Sequence, residues 1–210
     1  MHKALPSRHD CLPLFDATGP AASCAGPFLP APRLSYRELP AARAGAKETT
    51  MNNFDDAFEA LIGSEGGYSF HPADPGGETM WGVTARVARG YGYAGAMKDL
   101  PLELAKRIAK QKYWDPLHLD EFDPRVAFQI FDANYNGGLV VLWMQKASGA
   151  KEDGKFGPDT VDAVKAADPM RFVLRFIAYR LRYLKGLHAW PTFSRGWTDR
   201  MATNLLLGAA

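Results

Sequence analysis

Cysteine is almost absent from this chain: 210 residues hold two, Cys11 and Cys24, and both lie among the first fifty. Residues 51–210 therefore have no thiol for a disulfide, a cysteine-based metal site or a cysteine nucleophile, and must fold on their apolar core alone. No apolar run reaches the roughly 20 residues of a membrane span, which excludes stable membrane insertion. A dominant charge is missing as well. The formal net charge is +2, and the first fifty residues account for all of it with six Lys/Arg and four Asp/Glu. The remainder is neutral, which argues against nucleic acid as the main partner. His71, His118 and His188 lack metal-ligand spacing, and "DGKFG" (153–157) lacks the alternating ligands of a calcium loop, so no metal and no cofactor is implied.

Residues 1–50 also lack hydrophobic periodicity. They are rich in Pro and Ala, and Pro6, Pro13, Pro20, Pro27 and Pro30 interrupt every segment that could serve as the apolar core of a secretory signal. The same prolines prevent the amphipathic helix of a mitochondrial presequence. These residues read as a disordered tail or upstream extension, and the composition break places a natural start at Met51.

What is present after Met51 is helical patterning. Phe54, Ala57, Phe58, Leu61 and Ile62 share one face of a first helix, with Asn52 or Asn53 as cap and Gly66 and Gly67 as its end. Thr84 can cap a short helix through Arg89. Pro101 opens a helix running to "WDP", Asp123 and Pro124 start another that closes at "YNGG", and "LVVLWMQKAS" is a short buried helix. Pro158 opens the next, 169–188 reads as the longest, and "RGWTDRMATNLLL" as the last. The expectation is a predominantly α fold of about seven helices, with one small β-hairpin after the first. Residues 165–200 carry eight basic side chains against Asp168 and Asp199, either a solvated helix face or a surface drawn to an anionic polymer or membrane.

The stretch "GSEGGYSFHPADPGGETMWGVT" (63–84) breaks this pattern. Glu65 is expected in the last turn of the first helix, where the carbonyl end of the dipole disfavours an anion. With Tyr68, Phe70 and Trp81 near enough to desolvate it, its carboxyl would hold a proton near neutral pH, as a general acid must. The plain alternative is a solvated, helix-terminal glutamate. Pro75, Gly76 and Gly77 force a turn, and a hairpin folded back over the helix end would bring Asp74 and Thr79 near Glu65. Two carboxyls about one cleft is the arrangement of glycoside hydrolysis. Asn134, Tyr135 and Asn136 either line a sugar groove or only stop a helix. Trp143 and Trp197 read as core.

"EGGYSFHPADPGGETMWGVT" resembles the signature of the glycoside hydrolase family 108 lysozymes, phage and bacterial N-acetylmuramidases with an acidic residue in an "EGG" motif. "YWDPL", "FQIFDANYNGG", "DGKFGPDTVDAV" and "FSRGWTDRM" resemble the family's later segments in the same order, over roughly 54–201. The resemblance implies an α+β lysozyme-like fold, with Glu65 as catalytic glutamate. It also implies a catalytic region at 51–138 and a helical peptidoglycan-binding region at 139–210 packed on it. More distantly, the stretch resembles the Glu, eight residues, Asp, five residues, Thr pattern of phage-type lysozymes. Glu65 and Asp74 keep the first spacing, Thr79 arrives one residue early, and Thr84 is a rival for the hydroxyl.

The function expected is endolysin-type cleavage of the β-1,4 bond between N-acetylmuramic acid and N-acetylglucosamine. Glu65, Asp74 and Thr79 are the catalytic candidates, and Tyr68, Trp81, Thr84, Asn134, Tyr135 and Asn136 the substrate-binding ones. The expected partners are peptidoglycan glycan strands, met by a monomer held in the cytoplasm until a factor such as a holin opens the membrane. A non-catalytic wall-binding protein and a chitinase or chitosanase are the competing readings.

Overall fold

Asn53 opens the first helix, α1 (Phe54–Ile62), by accepting a hydrogen bond on its side-chain oxygen from the Asp56 amide at 3.0 Å, with Asp55 and Asp56 at the positive end of the dipole. The computed structural model describes residues 53–63, 67–70 and 77–209, all within the unit Gly45–Ala210. Phe54, Ala57, Phe58 and Leu61 are buried, as their spacing predicts. The helix ends earlier than expected. Gly63, with φ 59° and ψ −172°, is its C-cap, a conformation essentially reserved for glycine. Glu65 thus follows the cap in sequence rather than standing in the last turn, and it lies outside the described residues.

A hairpin follows, as predicted. β1 (Thr79–Met80) pairs antiparallel with β2 (Val83–Thr84), Thr79 opposite Thr84 and Met80 opposite Val83. Its two-residue turn is Trp81-Gly82, both left-handed with φ 53° and 73°, the backbone that matches strand twist in tight hairpins. Ser69 forms a further antiparallel bridge to Thr79. The reversal expected at Pro75-Gly76-Gly77 falls between these partners, and Pro75 and Gly76 are outside the described residues.

Thr84 caps α2 (Ala85–Gly90) through the Val87 amide. α3 (Leu102–Ala109) runs on into a π-turn at Lys110–Trp114 and two 3-10 turns, Asp115–Leu117 and Leu119–Glu121, hinged on left-handed His118. α4 (Pro124–Asn136) begins at the Asp123 cap, and α5 (Val140–Ser148), α6 (Pro158–Ala166), α7 (Pro169–Lys185) and α8 (Trp190–Ala209) follow. Eight α-helices stand among the described residues, against about seven expected. The longest is α8 at 20 residues rather than α7 at 17. It begins at Trp190 because Pro191 falls in its first turn, where a missing N–H costs nothing.

α4 is the central element and packs against α1, α5, α7 and α8. It buries Val126, Ala127, Phe128, Ile130 and Phe131. The Phe131 ring meets Phe54 at 5.7 Å and Trp114 at 5.3 Å, edge to face. Trp143 is core, as expected. Trp197 is half-buried, in a cluster with Trp190 and Phe193.

Two polar hubs lie inside this apolar frame. Asp132, 1% exposed, accepts from Arg180 of α7 and from Arg200 (2.9 Å) and Asn204 (2.8 Å) of α8. Burial opposes its ionisation, but the Arg180 and Arg200 charges outweigh that and hold the carboxyl below the ordinary aspartate range. Gln145 of α5 ties down the 153–160 loop. Its amide N–H groups donate to Asp153 (2.9 Å), the Lys155 carbonyl (3.1 Å) and Thr160 (3.2 Å), and its oxygen accepts from the Gly154 amide (2.9 Å).

Candidate active site

Of the "EGG…GGET" stretch, residues 67–70 and 77–79 are described. Ser69 and Thr79 exchange main-chain hydrogen bonds of 2.8 and 2.9 Å, which adds Ser69 to the edge of the hairpin. Glu65 and Asp74 lie outside the described residues. Beside this bridge, the Tyr68 hydroxyl donates to a Glu78 carboxylate oxygen at 2.7 Å, and this bond raises the Tyr68 pKa. Glu78 is a third motif carboxylate, exposed, which the reading of spacing passed over. The sequence signal was present in "GGET", beside the threonine that drew notice.

The described candidates divide into two groups. Trp81, Thr84, Asn134 and Tyr135 have their polar atoms engaged within the fold. The Trp81 indole N–H donates to the Leu100 carbonyl (2.9 Å), and the Trp81 carbonyl accepts from the Tyr135 hydroxyl (3.0 Å). Tyr135 is half-buried, its ring 4.8 Å from that of Tyr113, and burial pushes its phenol well above the ordinary tyrosine range. The Asn134 amide donates to the Tyr113 carbonyl (2.9 Å), and the Thr84 hydroxyl serves as the α2 cap. Trp81 and Tyr135 thus tie the hairpin turn to Leu100 and to α4, Asn134 ties α4 to the π-turn, and Thr84 holds the start of α2. The Thr79 hydroxyl donates to the Gly77 carbonyl at 3.3 Å, within its own turn.

The second group faces solvent. Tyr68 is 46% and Phe70 60% exposed, and the carboxyl they are expected to desolvate, Glu65, lies outside the described residues. Asn136 is exposed at the end of α4, donating to the Asp132 carbonyl (2.6 Å) and accepting from Arg200 (3.0 Å).

Beyond Gly63 a cavity of about 400 Å³ opens between α1 and α8, lined by Ala60, Gly63, Asp132, Arg200, Thr203 and Asn204. A larger cleft of about 730 Å³ lies at the other end of α1. Its charges are largely paired within the protein, Lys106 with Asp55 at 2.9 Å and Lys110 with Asp115 at 2.5 Å. The smaller cavity reaches Gly63, the C-cap of α1 and the first residue of the motif, whereas the larger one lies at the far end of that helix, about 13 Å away.

A mostly helical domain with a small antiparallel hairpin after its first helix has the architecture of a lysozyme-like hydrolase. The family model for glycosyl hydrolase 108 matches residues 58–138. The chain is also similar to the solved structure of Brucella abortus SagA, at 30% identity with a TM-score of 0.67, over 74% of this chain and 93% of that one. No curated protein sequence matches it. The chain belongs to glycosyl hydrolase family 108 and is a glycoside hydrolase. Family and neighbour together support a peptidoglycan hydrolase in general.

Proposed function

We propose that this protein is an N-acetylmuramidase that cleaves the β-1,4 bond between N-acetylmuramic acid and N-acetylglucosamine, with Glu65 as general acid. One observation carries the reading: the segment matched to the family, 58–138, contains Glu65 and the hairpin that Ser69 joins at Thr79. Glu65 protonates the leaving glycosidic oxygen, and Asp74 stabilises the cationic transition state or activates water. Thr79 is the third catalytic candidate. Tyr68 and Asn136, both exposed, contact sugar directly, Tyr68 through its ring face and Asn136 through its amide. Trp81, Thr84, Asn134 and Tyr135 act as positioning residues, since their polar atoms are already engaged within the fold.

Residues 51–138 form the catalytic region, 139–210 a wall-binding region packed on it, and 1–50 a dispensable tail, so a protein starting at Met51 keeps its melting temperature and activity. The enzyme acts as a monomer, as an endolysin that meets the wall after a holin-type factor opens the membrane. Digestion of purified wall, with analysis of the new reducing ends, tests the reading. Muramic acid ends are expected; glucosamine ends, or faster cleavage of chitin, overturn it. Glu65→Gln should lower turnover by about 10²–10⁴-fold with the fold intact.

A further inference from the structure

The outer face of α7 carries no acidic residue, and among the described residues its main packing partners, α4, α5 and α8, lie on the opposite side. α7 is packed on α4, α5 and α8 by Phe172, Val173, Phe176, Ile177 and Arg180. At 3.6 residues per turn the seven positions Arg171, Leu174, Arg175, Ala178, Leu181, Arg182 and Lys185 fall in one arc of about 120° on the opposite side. Between Pro169 and Thr198 the sequence contains no Asp or Glu at all. Asp168, which caps the helix through the Arg171 amide (2.8 Å), is the acid at its N-terminal end. Among the described residues none of Arg171, Arg175, Arg182 and Lys185 has a salt-bridge partner, whereas Arg180, on the buried side, is paired with Asp132. One further cation stands at the edge of this face: Lys146 of α5, paired with Glu152 at 3.5 Å, lies over the Tyr179 ring.

Two leucines lie among these cations. Leu174 is 52% and Leu181 37% exposed, and their spacing of seven residues aligns them along one edge of the arc, with Arg175 and Arg182 along the other. Two leucines in register within a row of cations offer nothing to a soluble polyanion. Apolar side chains in register beside long basic ones suit a lipid surface, where leucines enter the acyl boundary while arginine and lysine heads reach the phosphates. We propose that the outer face of α7 docks reversibly on an anionic phospholipid bilayer, with Leu174 and Leu181 inserted and Arg171, Arg175, Arg182 and Lys185 on the headgroups. Such docking would hold a wall-degrading enzyme at the membrane that underlies its substrate.

Co-sedimentation of the full chain with vesicles of 1:1 phosphatidylglycerol and phosphatidylcholine, against pure phosphatidylcholine, tests this, with soluble polyphosphate as a competing anion. Binding to the anionic vesicles alone is expected, weakened by salt. R175E/R182E and L174S/L181S should each weaken it roughly tenfold or more, while melting temperature and cleavage of soluble glycan fragments stay unchanged. Equal binding to neutral vesicles, no binding to anionic ones, or full binding by L174S/L181S overturns the proposal. If the serine variant binds polyphosphate and vesicles alike, the surface takes an anionic polymer instead, and the lipid assignment is wrong.

Discussion

Gly82 is constrained twice, by backbone and by space. Its φ of 73° belongs to the left-handed region, and a Cβ there would stand 2.5 Å from Cε1 of Tyr135. Gly77 shares the positive φ, at 65°, but faces open space. Gly82→Ala should therefore cost about 1–3 kcal/mol, and more than Gly77→Ala, whose cost is backbone strain alone. Urea denaturation of the two variants measures the difference, and equal values would show that the Tyr135 contact is slack. The sequence reading reached Tyr135 and Trp81 as sugar contacts because aromatic and amide residues in a loop are chemically suited to that. Their bond to each other spans 54 positions, and no local spacing reports it.

Helix ends were read well where a single side chain makes the cap. Asn53, Thr84 and Asp123 each accept from an amide two or three residues on, a short-range bond written in adjacent residues. Asn53→Ala should cost about 1 kcal/mol by thermal unfolding. The end of α1 was misplaced because five glycines, Gly63, Gly66, Gly67 and the later pair at 76–77, all offer a stop, and backbone freedom alone does not rank them. Gly63→Ala puts a Cβ into a conformation that L-residues avoid and should destabilise by about 1–3 kcal/mol. Because Gly63 stands two residues before Glu65 in the sequence, wall-cleaving activity should fall further than the unfolded fraction explains. Activity that tracks stability alone would separate the helix exit from catalysis. The π-turn at Lys110–Trp114 had no sequence signature, since its residues suit an α-helix equally.

At the scale of the whole molecule, Asp132 joins three helices, α4, α7 and α8, through one carboxylate. Removing its charge leaves Arg180 buried without a counterion, so Asp132→Asn should cost about 3–5 kcal/mol. The pH dependence has a definite sign. The folded carboxyl ionises below the usual aspartate value of about 3.9. Its contribution is therefore complete above roughly pH 5 and is lost as pH falls through the folded pKa, where protons favour the unfolded chain. Stability curves from pH 7 to pH 2 should bring wild type and Asp132→Asn together at the acid end. A constant gap would show that the charge of Asp132 is not what joins the helices.

Taken alone, the sequence determined the helical class, the hairpin after the first helix, most of the caps and the family, because each is carried by residues within a few positions of one another or by ordered motifs. Tertiary structure decided which polar residues are structural. Asp132 and Gln145 looked like any polar residue on a helix, and their roles come from partners as far as 72 positions away. It also decided that the polar atoms of Trp81, Asn134 and Tyr135 are engaged within the fold, and that Leu174 and Leu181 face out among cations. The physical reason is the same in each case: a local pattern fixes which way a side chain points along its own element, while burial and pairing depend on what the fold brings against that face.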